Sequence, residues 1–164
     1  MRRVGIVMGS DSDLGIVQGA METLRQLQIP YEVHVYSAHR TPDEAAAFAE
    51  NAYQNGIGVL IAAAGKAAHL AGALAARTVL PVIGIPVSSK TLDGMDALLS
   101  TVQMPSGIPV ATVAIDGAKN AAILAAQILA IEDPALHEKL SDQRKEMRET
   151  VIRKNADLQE KLNA

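Results

Sequence analysis

The sequence predicts an α/β fold in which a parallel sheet is flanked on both faces by helices and followed by an extended C-terminal helix. Three observations carry that expectation. Short β-branched runs alternate with longer alanine-rich segments over residues 1–133. A charged segment with one apolar stripe follows Pro134. The chain has 164 residues, 49% of them hydrophobic and 20% charged, enough for one sizeable core and short for two.

The elements follow in order. Residues Arg3–Met8 read as a first strand that stops at Gly9-Ser10, and a helix is expected over Ser12–Leu27. A second strand, Tyr31–Tyr36, leads to a helix over Pro42–Asn55. Its start is punctuated by Thr41 as N-cap, proline in the first turn and Asp43 and Glu44 near the positive dipole end, and Gly56 follows it. Further strands are expected at Gly58–Ala63, Val82–Pro86 and Val110–Ile115, with helices at Ala67–Ala76, Asp93–Met104 and Asn120–Ile131. Alanine runs such as "EAAAFAENA" and "NAAILAAQILA" imply close helix-to-sheet or subunit packing, because small side chains let backbones approach. In the last segment, residues 134–164, Leu136, Leu140, Met147, Val151, Leu158 and Leu162 recur at spacings of four and seven. That stripe lies outside the five-unit core and predicts packing on a neighbouring subunit, the alternative being its own domain.

Composition excludes several function classes. Net charge is -3 and the basic residues are scattered, so there is no nucleic-acid footprint. With three Tyr, one Phe and no Trp, stacking platforms for bases or flavins are scarce. The absence of cysteine removes disulfides, thiolate nucleophiles and zinc-cysteine sites, and the cytoplasm is the expected compartment. The opening "MRRVGIVMGSDSD" reads as a strand, not a signal peptide, and no apolar stretch reaches membrane-spanning length. Signatures of serine hydrolases, P-loop nucleotide binders and dinucleotide folds are missing, and no histidine or carboxylate spacing suggests a metal.

Ligands of open α/β sheets bind beyond the carboxyl ends of the strands. There the sequence offers Gly9-Ser10-Asp11-Ser12-Asp13, then Ser37-Ala38-His39-Arg40-Thr41, then Ala64-Gly65-Lys66-Ala67-Ala68-His69, then Val87-Ser88-Ser89-Lys90. Hydroxyls and free backbone N–H groups beside an arginine suit a phosphate monoester. Asp13 suits sugar hydroxyls, so a ribose phosphate satisfies both. The residues alone leave "GSDSD" open as an ordinary helix cap, and His39 open as a surface turn residue or a group that titrates near neutral pH.

Taken together, "MGSDSD", "SAHRTP", "AGKAAHLAG" and "DALLSTVQMPSGIPVATVAIDGAKNAAILAAQILA" resemble the aminoimidazole ribonucleotide carboxylase family, in its bacterial-type mutase class, over nearly the whole chain and in the same order. The resemblance implies a flavodoxin-like three-layer fold, an octamer, and an isomerase that uses no metal, ATP or other cofactor. Its substrate would be an imidazole ribonucleotide of purine biosynthesis, whose carboxylate moves from the exocyclic nitrogen to ring carbon four. Residue by residue, it implies that Ser10 and Arg40 hold the phosphate with Ser12 and Ser37, and that Asp13 holds the ribose. His39 falls on the family's catalytic histidine, next to Ala38. The loop containing Gly65, Ala67, Ala68, His69 and Leu70 would line the carboxylate end.

Two positions depart from the family pattern. Lys66 stands where a small or apolar residue is usual, and Ala71 where proline is common. The family's second class, which carboxylates the free aminoimidazole nucleotide, typically has lysine in place of Arg40 and lacks the His69 motif. The alternative from another class is a non-catalytic flavodoxin-like module that binds a sugar phosphate or nucleotide.

Overall fold

The structure is a computed structural model and describes residues 1–163; Ala164, the end of the expected C-terminal segment, lies outside the described residues. Five parallel strands, β1 (Arg3–Met8), β2 (Tyr31–Val35), β3 (Ile57–Gly65), β4 (Val82–Val87) and β5 (Ala111–Thr112), lie in the order β2-β1-β3-β4-β5. This is the doubly wound order whose binding crevice opens where the connections change direction. Six α-helices follow the strands or close the chain: α1 (Leu14–Gln26), α2 (Pro42–Asn51), α3 (Leu70–Ala75), α4 (Met95–Val102), α5 (Ala118–Leu129) and α6 (Pro134–Leu162).

Alternation of side chains divides the core between the two faces of the sheet. Val4, Ile6, Met8, Val59, Ile61, Ile83 and Ile85 meet α1 and α5 on one face. Val7, Leu60, Ala62 and Val82 meet α2 and α3 on the other. Helix α4 shares the second face, since Thr101 and Ala71 both crowd the bare Cα of Gly84. Four alanines of α5 (Ala121, Ala122, Ala125 and Ala126) are fully buried, and Gly19 of α1 faces Ala118. Small side chains therefore bring α1 and α5 together, a helix-to-helix contact where the alanine runs predict packing on the sheet or on another subunit.

Several boundaries differ from expectation, each for a local reason. The edge strand β5 pairs over only two residues, not Val110–Ile115. Gly84 and Pro86 aim their carbonyls at it, accepting from Val113 and Asp116, but Pro86 has no N–H to return, so the ladder cannot continue. Helix α3 starts at Leu70, not Ala67, because Lys66 adopts a left-handed φ of 55° and tight turns close from Ala68 N–H to the Lys66 carbonyl and from His69 N–H to that of Ala67. Helix α4 starts at Met95 after three left-handed residues, Leu92, Asp93 and Gly94. A single 3-10 turn, Asp11–Asp13, precedes α1, and α2 ends at Asn51 before a turn that closes at Gly56 with φ 80°.

Helix α6 is entered through Asp133, whose carboxylate accepts the Leu136 N–H at 3.0 Å, and Pro134 occupies the first turn. Leu136 is buried and Leu140 packs against the α1–α5 core, while Lys139 donates to Gln28. The rest of the stripe, Met147, Val151, Leu158 and Leu162, is exposed.

Candidate active site

A cavity of about 520 Å³ opens at the carboxyl end of the sheet, walled by the loops after β1, β2, β3 and β4. Of the residues singled out from the sequence, Ser10, Ser12, Asp13, Ser37, Ala38, His39, Arg40, Gly65, Ala67, His69 and Leu70 all line it. Ala68 does not. It is buried behind the loop, its N–H turned to the Lys66 carbonyl at 2.8 Å.

The loop after β1 presents paired hydroxyls. Ser10 caps the 3-10 turn, its Oγ accepting the Ser12 N–H at 3.3 Å and the Ser12 hydroxyl at 2.9 Å. Asp13 stands at the start of α1 but makes no capping bond there, and its carboxylate lies against the cavity. Burial pushes that carboxyl above its ordinary value of 3.8, while hydrogen bonds from the Ser10 backbone and the Ser12 hydroxyl pull it back down and nearby Asp11 adds repulsion. A partly desolvated carboxylate with few partners is a ready acceptor for ligand hydroxyls.

The loop after β2 is knitted to itself. Ser37 Oγ accepts the N–H groups of His39 at 3.3 Å and Arg40 at 3.1 Å, which leaves the Ser37 hydroxyl proton free to donate. Thr41 is the α2 N-cap by position, yet its hydroxyl serves Ser37 instead: Thr41 Oγ1 accepts the Ser37 N–H at 2.8 Å and donates to the Ser37 carbonyl. This closed turn fixes the backbone that carries His39 and Arg40. The Arg40 guanidinium reaches back over β1 and donates from Nη2 to the Gly9 carbonyl at 3.3 Å, leaving its other donors free.

The loop after β3 meets the loop after β2 through two imidazoles. His39 Nε2 and His69 Nδ1 are 2.9 Å apart, with ring centroids 5.0 Å apart and planes at 81°. At that distance a single N–H lies between the two nitrogens, so the tautomer of one ring fixes that of the other. The flanking residues Gly65 and Ala67 leave the space beside the pair open. Gly65 has no room for more, since a Cβ there would stand 3.2 Å from the Val87 carbonyl oxygen.

Val87 at the end of β4 and Ser88 and Ser89 of the loop after it complete the wall, joined by Ala64 of β3 and Lys66 just beyond it. The sequence offers all of them as strand-end neighbours, and Lys66 also as a departure from the family pattern. Behind Ser88 stands Asp116, which lies within the fourth stretch that carries the family resemblance but receives no role from it. It accepts the Ser88 N–H on Oδ1 at 2.8 Å and the Ser88 hydroxyl on Oδ2 at 2.6 Å. The one sequence hint was an acidic residue just ahead of a glycine at the start of an alanine-rich helix. Among the described residues no group of three His, Cys, Asp or Glu side chains is arranged to hold a metal ion.

Comparison with known proteins converges on one group. A family model described as AIR carboxylase matches residues 3–150. A Pyrococcus horikoshii protein named N5-carboxyaminoimidazole ribonucleotide mutase is 56% identical over 157 residues, covering 96% of this chain and 89% of its own. An Escherichia coli protein of the same name is 55% identical over 152 residues, covering 92% of this chain and 90% of its own. The crystal structure of Treponema denticola PurE superposes with a TM-score of 0.86 at 29% identity, covering 94% of this chain and 97% of that one.

Proposed function

The chain belongs to the AIR carboxylase family, and on that premise we infer its activity: it is a mutase that converts N5-carboxyaminoimidazole ribonucleotide to 4-carboxy-5-aminoimidazole ribonucleotide in purine biosynthesis. The observation that carries this reading is identity above one half, over more than nine tenths of the chain, with relatives named for that reaction. The cavity supports it with groups of the right chemistry in a sensible order along the sheet.

In this reading Ser10, Ser12, Ser37 and Arg40 take the phosphate, since they supply hydroxyl, backbone and guanidinium donors around one corner of the cavity. Asp13 takes the ribose hydroxyls. Imidazole and carboxylate lie toward Gly65, Ala67, His69 and Leu70, with Ala38 beside them and Ala68 supporting the loop from behind.

His39 carries the proton. The bond from the exocyclic nitrogen to the carboxylate carbon breaks as His39 delivers a proton to that nitrogen, releasing carbon dioxide within the cavity. Ring carbon four then forms its bond to carbon dioxide, and the proton displaced from that carbon returns to His39. The net change is an isomerisation, with no proton gained or lost, and it calls for neither ATP nor metal. His69 holds the His39 ring through the Nε2–Nδ1 contact and keeps one tautomer in place. Small walls matter because carbon dioxide must stay beside the ring between the two steps.

We further propose a cytoplasmic homo-oligomer, an octamer, in which the distal part of α6 packs on a neighbouring subunit. What supports this is the row of exposed apolar side chains Met147, Val151, Leu158 and Leu162 on a helix whose first turns alone touch their own core. No helix of the described residues is long and apolar enough to cross a membrane.

The deciding assay mixes the protein with freshly prepared N5-carboxyaminoimidazole ribonucleotide, without ATP or added metal, and follows the carbon-carboxylated isomer. Acceleration over the spontaneous background is the expected result. Nucleotide binding without acceleration would leave the sugar-phosphate binding module in its place.

A further inference from the structure

Ser88 lines the cavity, and Asp116 stands behind it on the loop that opens α5. Both carboxylate oxygens of Asp116 are committed to this one residue, Oδ1 to the Ser88 N–H at 2.8 Å and Oδ2 to the Ser88 hydroxyl at 2.6 Å. The second distance is that of a hydroxyl donating to an ionised carboxylate. Asp116 itself is held by its N–H on the Pro86 carbonyl at 2.9 Å and by a left-handed φ of 57°, a conformation a non-glycine residue adopts at some cost.

The consequence is a matter of hydrogen-bond polarity. A carboxylate has no proton to give, so the proton in the 2.6 Å contact comes from Ser88, and Ser88 Oγ turns only lone pairs toward the cavity. A free serine would offer donor or acceptor. Strand order then says what meets it. The Arg40 guanidinium lies over the end of β1, and the end of β4 is two strand spacings from there, about 10 Å, with β3 between them. A nucleotide anchored by its phosphate at Arg40 brings its base, not its sugar phosphate, to Ser88.

We propose that Ser88 is a specificity residue that accepts a hydrogen bond from the exocyclic amino N–H of the imidazole, and that Asp116 is the positioning residue that makes Ser88 an acceptor. This rests on the mutase reading of the same cavity. In the substrate that nitrogen carries both an N–H and the migrating carboxylate, and in the product it is a free amino group, so both offer Ser88 an N–H, whereas a carboxylate turned toward Ser88 would face lone pairs. The clamp therefore orients the exocyclic nitrogen with its N–H toward β4 and its carboxylate toward the histidine pair.

The test compares Ser88→Ala, Asp116→Asn and the double variant by calorimetric binding of aminoimidazole ribonucleotide and, separately, of ribose 5-phosphate, which lacks the base. Asparagine tolerates left-handed φ, so the fold is retained. It also inverts the clamp: its oxygen must still face the Ser88 N–H, so its amide nitrogen donates to Ser88 Oγ and the hydroxyl proton turns into the cavity. The expected result is a rise of roughly 3- to 10-fold in Kd for aminoimidazole ribonucleotide in Ser88→Ala, a larger rise in Asp116→Asn, and a double variant no worse than Ser88→Ala alone. Affinity for ribose 5-phosphate should stay within twofold. Equal losses for both ligands, or an Asp116→Asn penalty that persists without the Ser88 hydroxyl, would overturn the proposal. Turnover of wild-type protein decides the mutase reading separately, because the binding comparison needs no catalysis.

Discussion

His39 and His69, 30 positions apart in the chain, place Nε2 and Nδ1 2.9 Å from each other across the mouth of the cavity. The contact follows from strand order: β1 lies between β2 and β3, so the loops after β2 and β3 converge over Gly9, which has no side chain to separate them. Two imidazoles sharing one N–H divide the labour unequally, one facing the reacting atoms and the other setting its tautomer. His39→Asn should therefore bind nucleotide within a few-fold of wild type and lose about 10²- to 10⁴-fold in kcat. His69→Ala should leave His39 present but unheld, lowering kcat less and altering the pH–rate profile. An intact kcat in His39→Asn, measured under single-turnover conditions, would remove His39 from the chemistry.

Arg40 is anchored twice, by its backbone N–H on Ser37 and its guanidinium on the Gly9 carbonyl. That leaves a preset fork of donors rather than a swinging arm. Arg40→Ala should raise KM by roughly 10- to 100-fold, as befits one or two charge-assisted hydrogen bonds. Arg40→Lys should restore only part of it, since an ammonium cannot make the paired contact. Comparing nucleotide with the dephosphorylated nucleoside checks the assignment: the penalty belongs to the phosphate and should vanish for the nucleoside.

The sheet was legible because its strands announce themselves locally. Runs such as Val4–Met8 and Val59–Ala63 are apolar on both faces, and the loops that follow them carry the small and hydroxylated residues a phosphate site needs. What escaped depends on partners distant in sequence. The short β5 is set by the missing N–H of Pro86 on the adjoining strand, and the late start of α3 by the backbone twist at Lys66. The role of Asp116 is not legible in the sequence because it exists only where its loop meets the end of β4. Ala68 belonged to the right motif and still points away, because a turn of i to i+2 hydrogen bonds reverses it.

Gly84 shows how tightly the second face of the sheet is filled. A Cβ added there would stand 2.3 Å from Thr101 Cγ2 and 3.3 Å from the Ala71 side chain, both on helices packed over β4. Thr101 cannot swing aside cheaply, as its hydroxyl is buried and donates to the Ala97 carbonyl at 2.7 Å. Gly84→Ala should cost about 1–3 kcal/mol through overpacking, read as a lower urea midpoint with an unchanged m-value. An unchanged midpoint would mean that α4 moves away from the sheet freely.

Helix α6 is fastened at Leu136 and Leu140 and unattached beyond them. Removing residues 145–164 therefore leaves the single-chain core intact and deletes only the exposed stripe. The shortened protein should be smaller in solution by more than the deleted mass, as measured by light scattering, if the stripe joins subunits. A particle reduced only by the mass of the deleted residues would assign the contacts between copies to other faces. Leu136→Ala, in contrast, should cost about 2–4 kcal/mol of stability whatever the assembly, because that side chain fills the domain's own core.

Asp13 sets binding against stability. Burial raises its carboxyl above the ordinary 3.8, so between that value and its folded-state pKa the folded protein holds more protons than the unfolded chain. Stability then falls as pH rises through this window, and above it the full cost of the buried charge is present. Asp13→Asn removes the charge while keeping the shape. Its Tm at pH 7 should exceed that of wild type, and the gain should shrink as pH falls below the ordinary carboxylate range, where the wild-type group is neutral as well. The same change weakens the ribose contact, so Kd for the nucleotide should rise about tenfold while the protein melts later. A variant that melts earlier at pH 7 would show that the Ser10 and Ser12 hydrogen bonds outweigh burial, and that Asp13 fastens its loop rather than waiting for a ligand.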